Sequence, residues 1–312
     1  MVAKFTSSLI TPRIINRVVT PVDPTQPPKN FKEGKFVIFV GGGRASGKST
    51  IKEHLFNLLE SEGYQREYVA EFGSDIFKDI LNSPLVIRLR NLLDKQASAV
   101  ASAKEGLLYK IANEVFRKAR GIAFAQGSPL VFDYHMNNAR LMEELIGEAK
   151  SHGYECIFIS PHISADRIFE RLELRKQRTG RPYNLRSALE THRDFAQMLP
   201  GYFAAFDVGI ILDNNTDGAS PHPIVLSQKG KLTIFDGEAY ADVKRKTAIN
   251  VDARKPEDVF LPGKGRAVQD LYSNSGAVED GSRKGLRRGE EPVKSFASRL
   301  VGELIREDKQ QR

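Results

Sequence analysis

Residues 36–50 read FVIFV-GGGRASGKST, an apolar, β-branched run that leads straight into a glycine-rich loop. The loop fills the pattern G-x-x-x-x-G-K-[ST] with Gly42, Gly47, Lys48 and Ser49. The two glycines let successive backbone N–H groups point at phosphate oxygens. Lys48 can then reach the β- and γ-phosphates of a nucleoside triphosphate, and the Ser49 hydroxyl can ligate Mg²⁺. The stretch therefore predicts a buried strand, a phosphate-binding loop and a helix, in that order.

The residues after the loop agree with this interpretation. Apolar side chains recur at helical spacing at Ile51, Leu55 and Leu59, so a helix is expected to aim its positive N-terminal end at the phosphates. We predict that ATP and Mg²⁺ are bound by the loop as a whole. Its residues are Gly42, Gly43, Arg44, Ala45, Ser46, Gly47, Lys48, Ser49 and Thr50.

The composition is that of a globular protein with a basic excess. The chain has 312 residues, is 40% hydrophobic and carries a formal net charge of +8, which suits a polyanionic ligand. It has no run of about 18 apolar residues and no apolar secretory leader, so we expect a cytoplasmic location without membrane contact. The one cysteine, Cys156, lies in an apolar stretch typical of a small buried side chain.

Strands alternate with helices through the middle of the chain. Beyond the first strand, the pattern predicts strands at 68–70, 129–133, 154–159 and 208–212, and helices at 138–150, 164–177 and 186–206. This alternation predicts an α/β fold, a P-loop NTPase-type parallel sheet with helices on both faces, plus a small C-terminal extension. Because ligands bind beyond the carboxyl ends of such strands, Asp75, Asp133 and Asp213 should lie near the loop.

The chain divides into segments of different composition. We predict an extended lead-in at 1–33, a P-loop domain at 34–250, a flexible linker at 251–291 and an amphipathic helix at 292–307 that docks on the core or on a partner. The domain should end with a small hairpin around Lys229-Gly230. The basic run at 283–288 is either a solvated part of the linker or a contact to nucleic acid.

Two aspartates are candidates for proton acceptance and for metal binding. Asp75 follows a predicted strand, where its carboxylate can accept a proton from an incoming hydroxyl or can simply cap the next helix. Asp133 ends an apolar strand, where it can hold Mg²⁺ through water or can belong to an ordinary turn.

A cluster of arginines is the second candidate element. Arg171, Arg175 and Arg178 share one helix face, and Arg181 follows in a Thr-Gly-Arg-Pro stretch. Such a segment can close over a triphosphate and contact its phosphates. The alternative is a solvated face that pairs with neighbouring glutamates.

In these motifs the chain resembles the zeta-toxin family of P-loop kinases. The resemblance covers roughly residues 34–245. It rests on the Walker element at 42–49, on Ser74-Asp75-Ile76-Phe77-Lys78, on Asn113-Glu114 before the strand 129–133, on Gly153-Tyr154-Glu155, on the arginine-bearing helix with Thr179-Gly180-Arg181, and on Leu212-Asp213-Asn214.

The resemblance implies a role for each matching residue. It implies that Asp75 is the base for the acceptor hydroxyl, that Lys48 binds phosphate, and that Arg171 and Arg181 contact the γ-phosphate. Glu114, Asp133 and His135 would face the substrate.

The resemblance also bears on the substrate and on partners. The family commonly has Glu-Gly-Thr where this chain has Asp133-Tyr134-His135, so the substrate pocket should be altered. The implied acceptor is a nucleotide-type small metabolite, either a sugar nucleotide such as UDP-N-acetylglucosamine or the ribose of NAD. A toxic kinase further implies an antitoxin or chaperone protein, and a host cytosol as its location if it is delivered as an effector.

Two other functions fit parts of the sequence. The positive charge fits a polynucleotide 5′-kinase or a nucleic-acid-binding ATPase, although nucleotides satisfy the charge equally well. A binding module that uses nucleotide only to present its C-terminal helix is the third reading, but it would be expected to have lost its base or its arginines.

Overall fold

The structure is a computed structural model that describes residues 35–73, 81–82, 87, 101–180, 182–260, 278–280, 296, 299–300 and 302–303. The described residues fall into two compact units. One contains Lys35 and the stretch 59–133, and the other contains 36–58 and the described residues from Tyr134 onward. No helix in the described part of the chain is both long and apolar enough to cross a membrane.

Strands and helices alternate along most of the chain. The described strands are β1 (Phe36–Val40), β2 (Ala70–Gly73), β3 (Leu130–Asp133), β4 (Glu155–His162), β5 (Val208–Asp213), β6 (His222–Gln228), β7 (Lys231–Ile234) and β8 (Val278–Asp280). The described α-helices are α1 (Lys48–Ser61), α2 (Ala101–Gln126), α3 (Ala139–Ser151), α4 (Ala165–Thr179), α5 (Leu185–Ala205) and α6 (Gly237–Arg245).

In the sheet of the second unit, the carboxyl ends of three parallel strands lie on the same side. β4 pairs in parallel with β1 on one side and with β5 on the other. Val40 lies opposite Ile159, which in turn lies opposite Ile210, so the loops that follow these strands leave the sheet in the same direction. Every residue of β1 is buried, as the apolar run predicts for a central parallel strand.

Antiparallel strands extend this sheet. β5 pairs with β6, and β6 pairs with β7 in a hairpin, while β8 runs parallel to β7. Lys229 and Gly230 form the hairpin turn with φ angles of 51° and 80°, and positive φ at both central residues is typical of a type I′ turn. The predicted hairpin is therefore confirmed.

Aromatic side chains fill the core of the second unit. The Phe158 ring lies 5.6 Å from Phe203 and 5.1 Å from Phe206, centroid to centroid. Gly209 is required below this ring, since a Cβ there would lie 2.1 Å from Phe158 Cε1. Cys156 is buried in β4, and burial raises the pKa of its thiol to about 12, in agreement with a structural role.

Residues from the C-terminal part of the chain also enter this core. The Phe296 ring stacks on Phe36 of β1 at 3.9 Å, so the described part of the predicted C-terminal helix docks on the core. Ala253 and Val259 belong to a buried cluster with Ile168 and Leu189. The segment 251–291, for which the sequence predicts a flexible linker, thus supplies core residues at its beginning.

The first unit is built around a parallel pair of strands. β2 and β3 pair from Ala70 opposite Leu130 to Gly73 opposite Asp133. Phe72 lies 5.2 Å from Phe116 of α2 and 5.3 Å from Phe132 of β3, so helix and strands share an aromatic core. Parallel strands joined through helices in both units confirm the predicted α/β fold.

Candidate functional site

The glycine-rich loop at 41–47 joins β1 to α1 and has the backbone that its sequence predicts. Gly42 and Gly47 have φ angles of +111° and +97°, a region that disfavours other residues. A Cβ at Gly42 would lie 2.9 Å from Ser160 Oγ, and one at Gly47 would lie 2.0 Å from Asn214 Nδ2. Both glycines are therefore required by conformation and by space, and the loop can curl over the N-terminus of α1.

Lys48 is folded back over this loop. Its Nζ donates hydrogen bonds to the carbonyl oxygens of Gly42 and Gly43 at 3.0 and 3.2 Å. The same Nζ lies 3.1 Å from Nδ1 of His135, which follows β3 in the chain. Because a charged lysine only donates, Nδ1 of His135 accepts this hydrogen bond. The neutral imidazole of His135 then carries its proton on Nε2. The structure thus brings two predicted site residues, Lys48 and His135, into direct contact.

Helix α5 holds the middle of the loop. The backbone N–H of Arg44 donates to Thr191 Oγ1 at 3.2 Å, and the Arg44 carbonyl lies 2.8 Å from His192 Nε2. His192 is buried, and burial together with the nearby charge of Lys246 holds the pKa of its imidazole well below the ordinary value. A neutral His192 that carries its proton on Nε2 satisfies the Arg44 carbonyl.

The end of β5 and helix α4 hold the other side of the loop. Asn214 Nδ2 donates to the Ser46 carbonyl at 2.8 Å, and Asn214 is itself buried. Arg171 Nη2 donates to the Asn214 carbonyl at 2.6 Å, and its Nη1 lies 3.5 Å from the Ser46 carbonyl. Arg171 therefore lies beside residues 46–47, and its side chain is only 11% exposed.

An exposed carboxylate neutralises this arginine. Asp217 Oδ1 accepts from Arg171 at 2.5 Å, and its Oδ2 accepts from Arg167 at 2.9 Å. Both guanidinium groups thus converge on one anionic group, although Asp217 is 61% exposed. Two convergent arginines are an arrangement that also suits a phosphate group.

A buried polar network lies at the end of β4. Lys246 Nζ lies 3.1 Å from His162 Nδ1 and also donates to the Ile163 carbonyl, while His162 Nε2 lies 3.1 Å from Asp242 Oδ2. Burial and the Lys246 charge lower the pKa of His162 to about 4, and burial lowers the pKa of Lys246 to about 8. Burial raises the pKa of Asp242, but its hydrogen bond and the charges of His162 and Lys246 outweigh this and hold it below the ordinary value. The network ties α6 and the turn after it to the end of β4.

Other predicted residues lie elsewhere or outside the described residues. Glu114 is on α2, where Arg117 forms a 2.9 Å ion pair with it and holds the pKa of its carboxyl below the ordinary value. Asp133 ends β3 opposite Gly73, as the strand prediction requires, and both it and Glu114 belong to the first unit. Arg175 is exposed near the end of α4, as is Arg178. Asp75 and Arg181 lie outside the described residues.

Several residues around the loop were given no role from the sequence, although Asn214 belongs to the resemblance through Leu212-Asp213-Asn214. Thr191 and His192 sit in a helix whose apolar spacing only indicates a buried face. Arg167 is one turn before the predicted arginines and shares their face, so helical periodicity can identify it. Asn214 is preceded by an apolar strand, and the rule that strand ends gather at one edge is the signal that points to it.

Comparison with solved structures yields a common fold. The native AvrRxo1-ORF1:-ORF2 complex matches with a TM-score of 0.50 at 12% sequence identity, over 96% of this chain and 83% of that chain. The same complex with ATP gives 0.49 at 11% identity, over 89% and 80% of the two chains. A structure of the PezAT chromosomal toxin–antitoxin system of Streptococcus pneumoniae gives 0.47 at 14% identity, over 87% and 93%.

At these identities the likeness concerns the fold alone, and the first match carries it. It agrees with the α/β fold described above. No protein-family model matches the sequence, and no curated protein matches it.

Proposed function

We propose that this chain is an ATP- and Mg²⁺-dependent kinase, which transfers the γ-phosphate of ATP to a hydroxyl group of a nucleotide-type small metabolite. The observation that carries the proposal is the complete phosphate-binding loop. Its lysine is already turned over the loop, with Lys48 Nζ 3.0 Å from the Gly42 carbonyl, and Arg171 lies beside the same loop at Ser46.

The loop fits a polyphosphate in shape and in unsatisfied polar groups. The glycine conformations curl the backbone over the start of α1, where the first-turn N–H groups and the helix dipole favour an anion. Within the described ranges, Ser46 Oγ, Arg44 Nε and Arg171 Nε are buried without a hydrogen-bond partner. A buried unsatisfied polar group costs about 1–3 kcal/mol, so donors such as these favour a bound anion.

The start of α1 also offers a ligand for a metal ion. Ser49 is exposed in its first turn, beside Lys48, and its hydroxyl would be one ligand of Mg²⁺. The proposed second contact is Asp133, on the evidence of the sequence. When bound, Mg²⁺ would neutralise charge on the β- and γ-phosphates and so favour cleavage between them.

The proposed transfer step is a single displacement at the γ-phosphorus. The acceptor oxygen forms a bond to phosphorus while the bond from phosphorus to the β–γ bridging oxygen breaks, so that ADP leaves with the bonding electron pair. The acceptor proton passes to the carboxylate of Asp75, a role that rests on the sequence resemblance. Lys48, Arg171 and Arg181 would stabilise the charge on the transferring group, with Arg175 and Arg178 as further phosphate contacts.

The proposed acceptor is either a UDP-N-acetylglucosamine-like sugar nucleotide or the ribose of NAD. Glu114, Asp133 and His135 are the residues proposed to face this molecule. The Asp133-Tyr134-His135 sequence, in place of Glu-Gly-Thr, favours an acceptor that differs from that of plain zeta toxins. An enzyme that consumes such metabolites is toxic when uncontrolled, so we also propose an antitoxin or chaperone partner.

The proposal is tested by measuring ADP release from ATP in the presence of each acceptor. Lys48→Ala should reduce kcat/KM by at least about a hundredfold, because it removes the charge that follows the γ-phosphate. Lys231→Ala changes an exposed lysine on β7 and serves as the matched control, with wild-type rates expected. Equal rates for Lys48→Ala and the wild type would contradict the proposal.

A second candidate function is a polynucleotide 5′-kinase, favoured by the net charge of +8. Its affinity for a 5′-hydroxyl oligonucleotide should fall steeply between about 50 and 200 mM salt, because phosphate contacts release counterions. Phosphorylation of small metabolites with salt-insensitive kinetics would exclude this candidate.

A further inference from the structure

Helix α5 binds both the backbone N–H and the backbone carbonyl of Arg44 in the phosphate-binding loop. Thr191 Oγ1 accepts from the Arg44 N–H at 3.2 Å, and His192 Nε2 donates to the Arg44 carbonyl at 2.8 Å. The two helix residues are adjacent and buried, with exposures of 4% and 3%. Residue 44 is thereby fixed in orientation from outside the loop.

The same imidazole fills the space next to the preceding glycine. A Cβ at Gly43 would lie 2.3 Å from His192 Cγ, 2.4 Å from Cδ2 and 2.4 Å from Nδ1. Unlike Gly42 and Gly47, Gly43 does not have a positive φ angle. Glycine is therefore required at position 43 by the imidazole that packs on it, whereas at position 47 the backbone conformation alone already requires glycine.

These contacts have a consequence for ligand binding. The Arg44 N–H is directed at Thr191, so it is not among the N–H groups that can face a phosphate. Residues 43 and 44 are held before any ligand arrives, and a loop that is ordered before binding loses less conformational entropy when the ligand binds. A change at α5 should therefore be felt as a change in ATP affinity.

We propose that His192 is a positioning residue of the phosphate-binding loop, which acts through Gly43 and the Arg44 carbonyl to preorganise the loop for ATP. This inference rests on the proposed function, since it assigns a role within the same site. His192 does not contact the reacting atoms; it sets the conformation of residues 43 and 44.

The inference is tested by a double-mutant cycle on ATP affinity. The dissociation constant of ATP is measured by calorimetry, and KM and kcat are measured separately. His192→Ala should raise the dissociation constant and KM about tenfold, with kcat within about twofold, because positioning acts on ground-state binding. His192→Gln keeps an amide donor near the Nε2 position and should remain within about threefold of the wild type.

Coupling to Gly43 separates positioning from general core packing. Gly43→Ala should weaken ATP binding at least about tenfold, and the added His192→Ala change should cause no further loss, because the alanine methyl group then has room. The matched control is Gly47→Ala with Asn214→Ala. At Gly47 the φ angle of +97° strains any side chain, so removal of the Asn214 amide should not restore binding.

Each outcome of this cycle decides the inference. Multiplicative losses in the Gly43→Ala/His192→Ala protein, or a lower melting temperature of His192→Ala with an unchanged dissociation constant, would overturn it. ATP binding in all proteins without phosphoryl transfer would leave the positioning role in place and refute the kinase. A wild-type protein that does not bind ATP would overturn both.

Discussion

Nζ of Lys48 lies 3.1 Å from Nδ1 of His135, so the lysine of the phosphate-binding loop is hydrogen-bonded to a side chain that follows a different strand. The sequence resemblance assigns His135 to the acceptor, and the geometry adds a contact with the lysine proposed to bind phosphate. These two roles predict different kinetics.

His135→Ala should raise KM for the acceptor about tenfold and leave KM for ATP within about threefold. Lys48 keeps its hydrogen bonds to the Gly42 and Gly43 carbonyls, so its position does not depend on His135 alone. UDP-N-acetylglucosamine and NAD are each titrated at saturating ATP, with His152→Ala, a change at the exposed end of α3, as control. A rise in KM for ATP alone would assign His135 to the positioning of Lys48.

Asp217→Asn should tighten ATP binding about three- to tenfold. The Asp217 carboxylate accepts from Arg171 and Arg167, and a bound phosphate has to compete with it for these donors. The asparagine removes the negative charge but keeps a similar shape. Calorimetric titration with ATP at two salt concentrations measures the change, and weaker binding would mean that Asp217 is needed to hold Arg171 in place.

Arg171→Lys should lower kcat at least about a hundredfold. A lysine cannot bridge the Asn214 carbonyl, the Ser46 carbonyl and a phosphate with one planar group, and arginines at transferring phosphates contribute large rate factors. Arg186→Lys on α5 is the matched control, because that side chain is exposed and pairs with Glu190. Wild-type turnover in Arg171→Lys, with an unchanged melting temperature, would remove Arg171 from the transfer step.

Acid should destabilise the protein between pH 6.5 and about 4. The pKa of His162 falls from 6.5 to about 4 in the folded protein, owing to burial and the charge of Lys246, with Asp242 and Asp213 opposing the shift. In this range His162 binds more protons in the unfolded chain than in the folded one, so the free energy of unfolding falls as the pH falls. The contribution of His162 to stability is fully present above pH 6.5. The shift corresponds to about 3 kcal/mol.

The His162→Gln variant provides the control for this pH dependence. Urea unfolding of the wild type and the variant at pH 7 and pH 4.5 gives the two differences in free energy. The variant should lose less stability on acidification, although not none, because His192 also has a lowered pKa. Equal losses in both proteins would show that His162 does not carry the effect.

The strand, loop and helix at 36–61 could be predicted because their pattern is local. The bounds of β4 could not, since Ser160, Pro161 and His162 have the composition of a turn. In the structure the strand continues to His162 because pairing with β5 extends to Asp213. A short helical turn at Arg66–Tyr68 likewise shifts β2 to Ala70–Gly73.

The sequence could predict the loop, because its motif lies in one continuous stretch. It could also predict Arg171 as a candidate, because the arginines of its helix recur at helical spacing. His192 was not predictable, because its hydrogen bond to Arg44 joins residues 148 positions apart. The buried contact of Lys246 with His162 spans 84 positions and is equally invisible in the sequence. The roles of Asp75 and Arg181 stay predictions.

The most direct test of the kinase is transfer of label from γ-labelled ATP. Wild-type protein and the Asp75→Asn and Lys48→Ala variants are incubated with Mg²⁺ and, separately, UDP-N-acetylglucosamine, NAD, nucleosides and a 5′-hydroxyl oligonucleotide. Label on a sugar nucleotide or on NAD with the wild type, lost in both variants while Asp75→Asn still binds ATP, is the predicted result. Label on the oligonucleotide alone, or transfer retained in Asp75→Asn, would contradict the account.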